Sequence, residues 1–461
     1  MNNENSGQVI TNLAQSQKSR RHQIRRLSHQ LASAQIRPWL IPLVYALAAV
    51  GSGYAVPRFA AVFLPKLVST MSVGAAIGIY SAIASGMIAL TGIVFSLAFV
   101  MVQFSASAYS PRLVLWVARD PAMSHALGIF TATFLYALTA LAWVDRSNSA
   151  RVPLISLCIV EVLLIASIAM FIALIHRMGM LQVNRMLVFT GDQGRAVISA
   201  LYPSIDARAA VLSDADIQCI PASTQTVLHH GTPRVFQAAD FQGLMQLATV
   251  TGSVIEVVPA IGDILLDSMP LIRFFGGNHP IPKQDLLGLI ELGSERTFEQ
   301  DPKYAIRLLV DIALKALSPA INDPTTAVQA LDQIEDLLLR LGMRRLEIGV
   351  FRDEHGEPRV LIAFPAWEDF LRLAFDEIRF CGAHSVQVMR RMKAVISELI
   401  SLLPDERHAA LTYWQVRLQA TIDRSFDDTE DKLEASTEDR QGLGITREMH
   451  THKIINLEIQ N

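Results

Sequence analysis

A stripe of small and polar residues inside a long apolar segment is the first feature of the sequence that could do chemistry. At about 100° per residue, these side chains fall within an arc of about 80° on one helix: Gly74, Gly78, Ser81, Ser85, Gly92, Ser96, Gln103, Ser107 and Ser110. Serine hydroxyls and a glutamine amide can replace the hydration water of an ion in a pore. Small residues also allow membrane helices to pack closely. The pattern is compatible with a pore-lining face and with a packing face.

A single carboxylate, Glu161, lies in the middle of the apolar stretch CIVEVLLIAS. A charge at this depth in a membrane helix costs several kcal/mol unless it is paired, protonated or hydrated, which makes it a functional candidate. The alternative is a neutral glutamic acid that is hydrogen-bonded to a neighbouring helix. No opposite charge lies in the middle of another apolar segment, so a protonated or water-facing state is favoured.

A second group of polar residues follows the dipeptide Asp301–Pro302. Arg307, Asp311 and Lys315 recur every four residues and therefore share one helix face. A second dipeptide, Asp323–Pro324, begins the next helix, and proline after an acidic cap is typical of a helix start. The sequence predicts a tight helical hairpin. Its charged row is either a solvated line of salt bridges or a polar site completed by Asn322 and Asp323 at the corner.

Other signs of chemistry are few. The chain has no GxxxxGK[ST], HExxH, GxSxG or paired CxxC motif, so we predict no catalytic residue, no metal site and no cofactor, and whether the protein is an enzyme is left open. The three cysteines (Cys158, Cys219 and Cys381) are isolated, which fits a reducing compartment. A formal net charge of −3 implies no nucleic-acid partner.

The distribution of charge divides the chain into two parts. Of 461 residues, 51% are hydrophobic and only 18% are charged, against about 25% charged in soluble domains. Residues 38–175 contain nine charged residues, whereas the other 323 residues contain 74. A fully soluble protein, a secreted disulfide scaffold and a disordered chain are excluded. A membrane-embedded block joined to a polar domain remains.

Four segments of the apolar block are long enough to cross a bilayer, which takes about 20 residues per helix. They begin near Pro38, Val73, Ala126 and Val152. Lys and Arg number 11 in the N-terminal tail, the second connection and the exit, and four in the other two connections. The positive-inside rule therefore predicts that both termini lie in the cytosol.

The fold class predicted is an α-helical integral membrane protein with four transmembrane helices and a cytosolic mixed α+β domain. A basic cytosolic tail covers residues 1–37, the transmembrane domain 38–175 and a helical linker 176–223. A small β-rich module covers 224–280, with two hairpins and a short helix capped by Asp240. An α+β domain with the helical hairpin covers 281–426, and a charged flexible tail covers 427–461.

Three stretches together carry a resemblance to a known family: LTGIVFSLAFVMVQFSASAYSPRL (90–113), SERTFEQDPKYAIRLLVDIALKALSPAINDPTTAVQALD (294–332) and RVFQAADFQGLMQLA. The chain resembles the bacterial "predicted membrane protein" group catalogued as domain-of-unknown-function family 2254, over roughly residues 38–400. Ala320 stands where that family often has glycine. The resemblance implies an integral inner-membrane protein with several spans and a cytosolic region, and it implies no activity, substrate or catalytic residue.

Two functions remain open on this sequence. The first is a homo-oligomeric ion channel or small-ion pathway with a cytosolic regulatory domain, based on the stripe and on Glu161. The second is a membrane-anchored sensor or scaffold that binds a protein or small ligand through its cytosolic domain. The partners expected are the lipid bilayer, further copies of the chain and, for the second function, a cytosolic protein or small molecule.

Overall fold

The computed structural model describes residues 40–63, 71–108, 121–146, 152–178, 183–207, 212, 216, 220–277, 286 and 288–444. The chain forms two compact units. The N-terminal unit comprises the helices up to residue 180, except for residues 106–110, and the C-terminal unit comprises those five residues and residues 181–461.

The N-terminal unit consists of helices in its described residues. Their bounds are α1 Leu40–Phe63, α2 Val73–Ala108, α3 Pro121–Arg146 and α4 Leu154–Met178. Each contains a window that is long and apolar enough to cross a membrane: Leu40–Ala60, Val73–Ser96, Ala122–Val144 and Leu154–His176. The four predicted apolar segments are therefore helices. At about 1.5 Å per residue, the 36 residues of α2 extend over about 54 Å, well beyond a hydrocarbon core of about 30 Å.

Close packing in the N-terminal unit is concentrated between α1 and α3. A Cβ atom added at Gly128 would lie 2.7 Å from the ring of Tyr45, and one added at Gly53 would clash with the Thr139 hydroxyl. The two glycines therefore allow the backbones of α1 and α3 to approach, which is the usual role of small residues between membrane helices. Helix α4 packs against α3 through the hydroxyls of Thr133 and Ser167, whose oxygens are 2.8 Å apart.

The C-terminal unit begins with a helix and two small sheets. Its elements are α5 Val183–Leu201, β1 Ser223–Leu228, β2 Arg234–Ala239, α6 Phe241–Thr251, β3 Ser253–Val257, β4 Ile264–Leu265, β5 Pro270–Gly276 and β6 Ile290–Gly293. The predicted cap of α6 is confirmed, because the Asp240 carboxylate accepts a hydrogen bond from the Gly243 amide at 3.0 Å.

Helices dominate the rest of the C-terminal unit. The elements are α7 Pro302–Ala316, α8 Pro324–Gly342, β7 Val350–Arg352, β8 Pro358–Ile362, α9 Trp367–Cys381, α10 Val386–Leu402, a 3-10 turn Asp405–Arg407, α11 His408–Ser425 and α12 Thr429–Ala435. Asp301 and Asp323 cap α7 and α8 with prolines at the first helical positions, so the predicted helical hairpin is confirmed.

The strand pairing corrects one predicted hairpin and the extent of the β-rich module. The five-stranded sheet has the order β1-β5-β3-β8-β7 and the three-stranded sheet the order β4-β2-β6. The first of the two hairpins predicted in this module would join β1 to β2, but these strands lie in different sheets. The module predicted at 224–280 is completed by β6 and by β7–β8, since β8 pairs in parallel with β3. Val360 and Ile362 of β8 share the buried core of the first strands.

Part of the segment predicted as a flexible tail is ordered. Helix α12 packs on α10, and Ala435 at its end is fully buried. The Arg390 guanidinium donates to the Glu434 carbonyl oxygen at 2.6 Å, and the Ser397 hydroxyl donates to Glu438 at 2.6 Å. These contacts hold the segment 428–444 against α10, which composition alone could not indicate. Residues 445–461 lie outside the described part of the chain.

Candidate functional site

The stripe on α2 faces away from the other helices of the N-terminal unit. The opposite face of α2 packs against α3 and α4 through a buried row: Ala76, Tyr80, Ala84, Met87 and Val94. The stripe positions with described side chains are all exposed: Gly74, Gly78, Ser81, Ser85, Gly92, Ser96 and Gln103. At about 100° per residue, the centres of the two rows lie about 140° apart. The side chain of Ser107 and the whole of Ser110 are outside the described residues.

Hydroxyls that point into the helix bundle donate hydrogen bonds, whereas those on the stripe do not. Inside, Thr91 donates to the Met87 carbonyl oxygen at 2.7 Å, and other threonines behave similarly. Within the described part of the chain, the hydroxyls of Ser81, Ser85 and Ser96 have no hydrogen-bond partner. In a membrane, a polar group without a partner is costly because lipid tails offer none. In a membrane, the stripe would therefore be suited to contact with water or with another protein surface.

The glycines of the stripe do not contact other helices in the described part of the chain. A Cβ atom added at Gly78 or Gly92 would meet nothing within 4 Å, in contrast to Gly53 and Gly128 in the α1–α3 contact. Among the described residues, therefore, no contact at these two glycines supports the packing interpretation of the stripe. A pore-lining face remains compatible with the geometry.

Glu161 lies on the exposed surface of α4, next to Val162 and Ile165, which are 64% and 66% exposed. It is close enough to Tyr80 of α2 to interact with it electrostatically. The Tyr80 hydroxyl donates to Ser156 of α4 at 3.2 Å. Since Tyr80 belongs to the buried row of α2, the structure does not bring Glu161 onto the stripe of the same chain.

The four polar candidates of the helical hairpin do not form one site. Arg307 binds Asp311 at 2.6 Å and Glu377 of α9 at 2.7 Å. Asp323 is used as a cap, because its carboxylate accepts from the amide of Thr326 at 3.1 Å and from its hydroxyl at 2.6 Å. Asn322 is exposed and has a φ of 49°, a left-handed conformation that asparagine tolerates. The Arg307–Asp311 pair is therefore separate from Asn322 and Asp323 at the corner of the hairpin. Of the two interpretations of the charged row, the line of salt bridges describes Arg307 and Asp311.

A groove of about 580 Å³ lies between α7 and α9. Its charged lining consists of Lys303, Arg307, Arg372, Asp369, Asp376 and Glu377. Arg307 is already bound by carboxylates, and Asp376 is bound by Arg379 at 3.0 Å. Among the described residues, Lys303 and Arg372 form no ion pair, so they are the cations available to a ligand in this groove.

Asp301 is a buried carboxylate that sequence reasoning recognised only as a helix cap. It is 2% exposed and binds Arg296 at 2.6 Å, and its other oxygen accepts from the Tyr304 amide at 3.2 Å. Burial raises the pKa of the Asp301 carboxyl, although the Arg296 guanidinium opposes this. Gly262, at a φ of +94°, leaves room for the pair, since a Cβ atom there would lie 2.6 Å from Asp301.

A second buried cluster, which sequence reasoning missed, joins α8 to α10. The Arg391 guanidinium is 4% exposed and donates to Asp332 at 2.9 Å and to Glu335. Burial raises the pKa of Glu335 to about 7, and the nearby Glu398 contributes in the same direction while Arg391 opposes it. The sequence contains one signal of this buried cluster, because Arg391 falls on the apolar face of α10 between Val388 and Val395.

Among the described residues, no group of three or more His, Cys, Asp and Glu side chains is suited to hold a metal ion. The adjacent residues His229 and His230 have other contacts. His229 is buried and its Nε2 lies 3.0 Å from the Thr232 carbonyl oxygen, whereas His230 contacts Asp267 at 3.6 Å.

Comparison with known proteins identifies a family and mycobacterial relatives. The model of the family described as "Predicted membrane protein (DUF2254)" matches residues 36–398. The uncharacterized proteins Rv1290c of Mycobacterium tuberculosis and Mb1321c of Mycobacterium bovis are each 26% identical to the chain over 412 residues, which cover 86% of this chain and 78% of each relative. No solved structure matches the chain.

Proposed function

The chain belongs to the DUF2254 family of predicted membrane proteins, and we propose that it forms a homo-oligomeric pathway for small ions, with α2 of each copy lining the pathway. The observation that carries the proposal is the outward direction of the stripe. An exposed row of glycine and serine in an apolar helix, without partners among the described residues, is suited to a water-filled path between copies.

The length of the stripe supports this function. From Gly78 to Ser96 the helix rises by about 27 Å at about 1.5 Å per residue, close to the thickness of a hydrocarbon core of about 30 Å. The polar surface therefore extends across most of a membrane. Phe99, which is 64% exposed, falls in the same arc beyond Ser96 and would narrow the path at that end.

The number of helices favours a path between copies over a path inside one copy. The four candidate membrane helices of one chain pack against each other through buried side chains of the described residues. Closed oligomers place the same surface of each copy around a symmetry axis. A ring of α2 stripes around such an axis would be lined by Ser81, Ser85 and Ser96.

Location and orientation are part of the same proposal. The excess of Lys and Arg in the N-terminal tail and in the exit from α4 supports an inner-membrane protein with both termini in the cytosol. In this orientation the C-terminal unit is a cytosolic regulatory domain. Glu161, on the exposed surface of α4, would then be covered by a neighbouring copy.

Ion flux from liposomes tests the function. Purified wild-type protein should release trapped ions, and we expect Ser85→Phe to lower the flux by about tenfold or more because a bulky apolar side chain obstructs and dries the path. The matched control is Ile93→Phe, since Ile93 is 60% exposed on the same helix but lies about 90° from the centre of the stripe. It should conduct like wild type.

A correctly folded oligomer that stays silent across pH, voltage and membrane tension would contradict the proposed pathway, as would a Ser85→Phe variant with wild-type flux. The remaining function would then be a membrane-anchored sensor or scaffold. The groove between α7 and α9, with the available cations Lys303 and Arg372, is the place where a small anionic ligand or an acidic protein segment would bind.

A further inference from the structure

The groove between α7 and α9 has the size and lining of a site for a small molecule. Its volume of about 580 Å³ lies within the range of about 300 to 1,000 Å³ typical of such sites. Besides the two helices, the β3–β4 turn contributes Ala260, and the segment before α9 contributes Ala363, Phe364 and Pro365. Six of the eleven residues that line the groove are charged. The lining therefore suits a water-soluble ligand and not an acyl chain.

Contacts around the lining hold the groove in shape. The Arg307 guanidinium of α7 binds Glu377 of α9 at 2.7 Å, which ties the two helices together. The ring of Phe364 packs against the rings of Tyr202 and Phe241, with centroids 6.2 Å and 6.1 Å away. A ligand would therefore bind without first ordering these elements, which lowers the free-energy cost of binding.

Each carboxylate of the lining is already engaged by a group of the chain. Glu377 binds α7, and Asp376 binds Arg379, one turn further along α9, at 3.0 Å. Asp369 accepts a hydrogen bond from the Ala366 amide, at the start of its own helix, at 3.0 Å. The acids of the groove therefore serve contacts within the protein.

Two cations of the lining have no such partner. Within the described part of the chain, neither Lys303, in the first turn of α7, nor Arg372, in the second turn of α9, forms an ion pair. Asp301 interacts electrostatically with Lys303, but it is buried and binds Arg296 at 2.6 Å. Because the two cations belong to different helices, a ligand with two linked negative groups can contact both at once.

We propose that the groove binds a small water-soluble ligand with linked phosphoryl groups, held by Lys303 of α7 and Arg372 of α9. Phosphoryl oxygens accept several charge-assisted hydrogen bonds, for which arginine offers a planar fork of donors and lysine a compact charge. A lone carboxylate carries one charge and matches only one of the two cations. The bound ligand joins α7 to α9 and so stabilises the C-terminal unit. This site does not depend on the ion pathway.

Titration calorimetry with pyrophosphate tests the site, on the full chain in a non-ionic detergent. We expect one pyrophosphate per chain. Lys303→Gln and Arg372→Gln should each weaken binding about tenfold, because each variant loses charge-assisted hydrogen bonds to the ligand. Arg424→Gln is the matched control, since Arg424 is an exposed arginine of α11 that donates to the Ala420 carbonyl oxygen and lies outside the groove. It should bind pyrophosphate like wild type.

A bulky side chain gives a second test that leaves every charge in place. Ala363 lines the groove at an exposed position. Ala363→Phe should obstruct the groove and lower the affinity for pyrophosphate about tenfold or more. Ala420→Phe, at an exposed alanine of α11, is the control and should leave the affinity unchanged.

Three results would overturn the proposal. The first is wild-type protein that binds no pyrophosphate at millimolar concentration. The second is an equal loss of affinity in Arg372→Gln and Arg424→Gln, since binding would then be ion pairing at any surface arginine. The third is displacement of pyrophosphate by phosphatidylglycerol added to the micelles, which would assign the groove to a lipid headgroup.

Discussion

Replacing Arg391 by methionine lowers the free energy of unfolding of the C-terminal unit by about 3 to 5 kcal/mol, the range expected when one partner of a buried ion pair is removed. Arg391 is 4% exposed and is bound by Asp332 and Glu335. Methionine has a similar volume, so the loss arises mainly from the Glu335 carboxyl, which is 16% exposed and loses its cation, while Asp332 is 47% exposed and is solvated without it. The loss should be larger at pH 8 than at pH 6, because Glu335 carries its proton at the lower pH.

Urea unfolding in detergent micelles, followed by tryptophan fluorescence, measures this loss. Trp367 and Trp414 are buried in the C-terminal unit, at 2% and 4% exposure, and so report on its unfolding. Arg440→Met is the matched control, since Arg440 is 72% exposed and exposed ion pairs contribute about 1 kcal/mol or less. Equal losses in the two variants would contradict the buried cluster as described.

Asp301→Ala should destabilise the C-terminal unit by about 2 to 3 kcal/mol. The substitution removes the cap of α7, and it leaves the Tyr304 amide and the Arg296 guanidinium without their partner. The Asp301 carboxylate satisfies the Tyr304 amide and binds Arg296 at the same time. Asp301→Asn should lower the free energy of unfolding by less, because asparagine still caps the helix. Burial also disfavours the charged form of Asp301 and so raises the pKa of its carboxyl.

The same chain offers a control with the same local sequence. Asp323 also precedes a proline and caps a helix, but its carboxylate binds the backbone and hydroxyl of Thr326 and no arginine. Asp323→Ala should therefore cost about 1 kcal/mol, the typical value for a cap alone. The measurement is the difference between the two urea unfolding curves. An effect of Asp323→Ala as large as that of Asp301→Ala would show that the ion pair to Arg296 contributes nothing.

Local patterns in the sequence predict the local structure of this protein well. The four apolar segments are helices because backbone groups in a long apolar stretch are satisfied within a helix. The caps at Asp240, Asp301 and Asp323 are readable because one side chain and the next three residues determine them. The periodicity of the α2 stripe likewise places its members on one face without reference to any other helix.

Contacts between distant residues are not readable in the same way. The parallel pairing of β3 with β8 joins residues 255–257 to 360–362, and no local pattern selects one strand partner over another. In the sequence, Arg391 is one of several charges in RRMK. Its partners Asp332 and Glu335 belong to a different helix, α8, and only the fold brings them together. Nor could the period of the stripe tell whether it packs inside the chain, because the α1–α3 contact uses glycines of the same kind.

Disulfide cross-linking between copies tests the central claim that α2 stripes of different chains face one another. Serine replaces Cys158, Cys219 and Cys381, a single cysteine is introduced by Ser85→Cys or by Ile93→Cys, and membranes are treated with an oxidant. The account predicts cross-linked chains for Ser85→Cys and little or no cross-linking for Ile93→Cys. Cross-linking through Ile93→Cys with none through Ser85→Cys, or chains that stay monomeric in both, would contradict it.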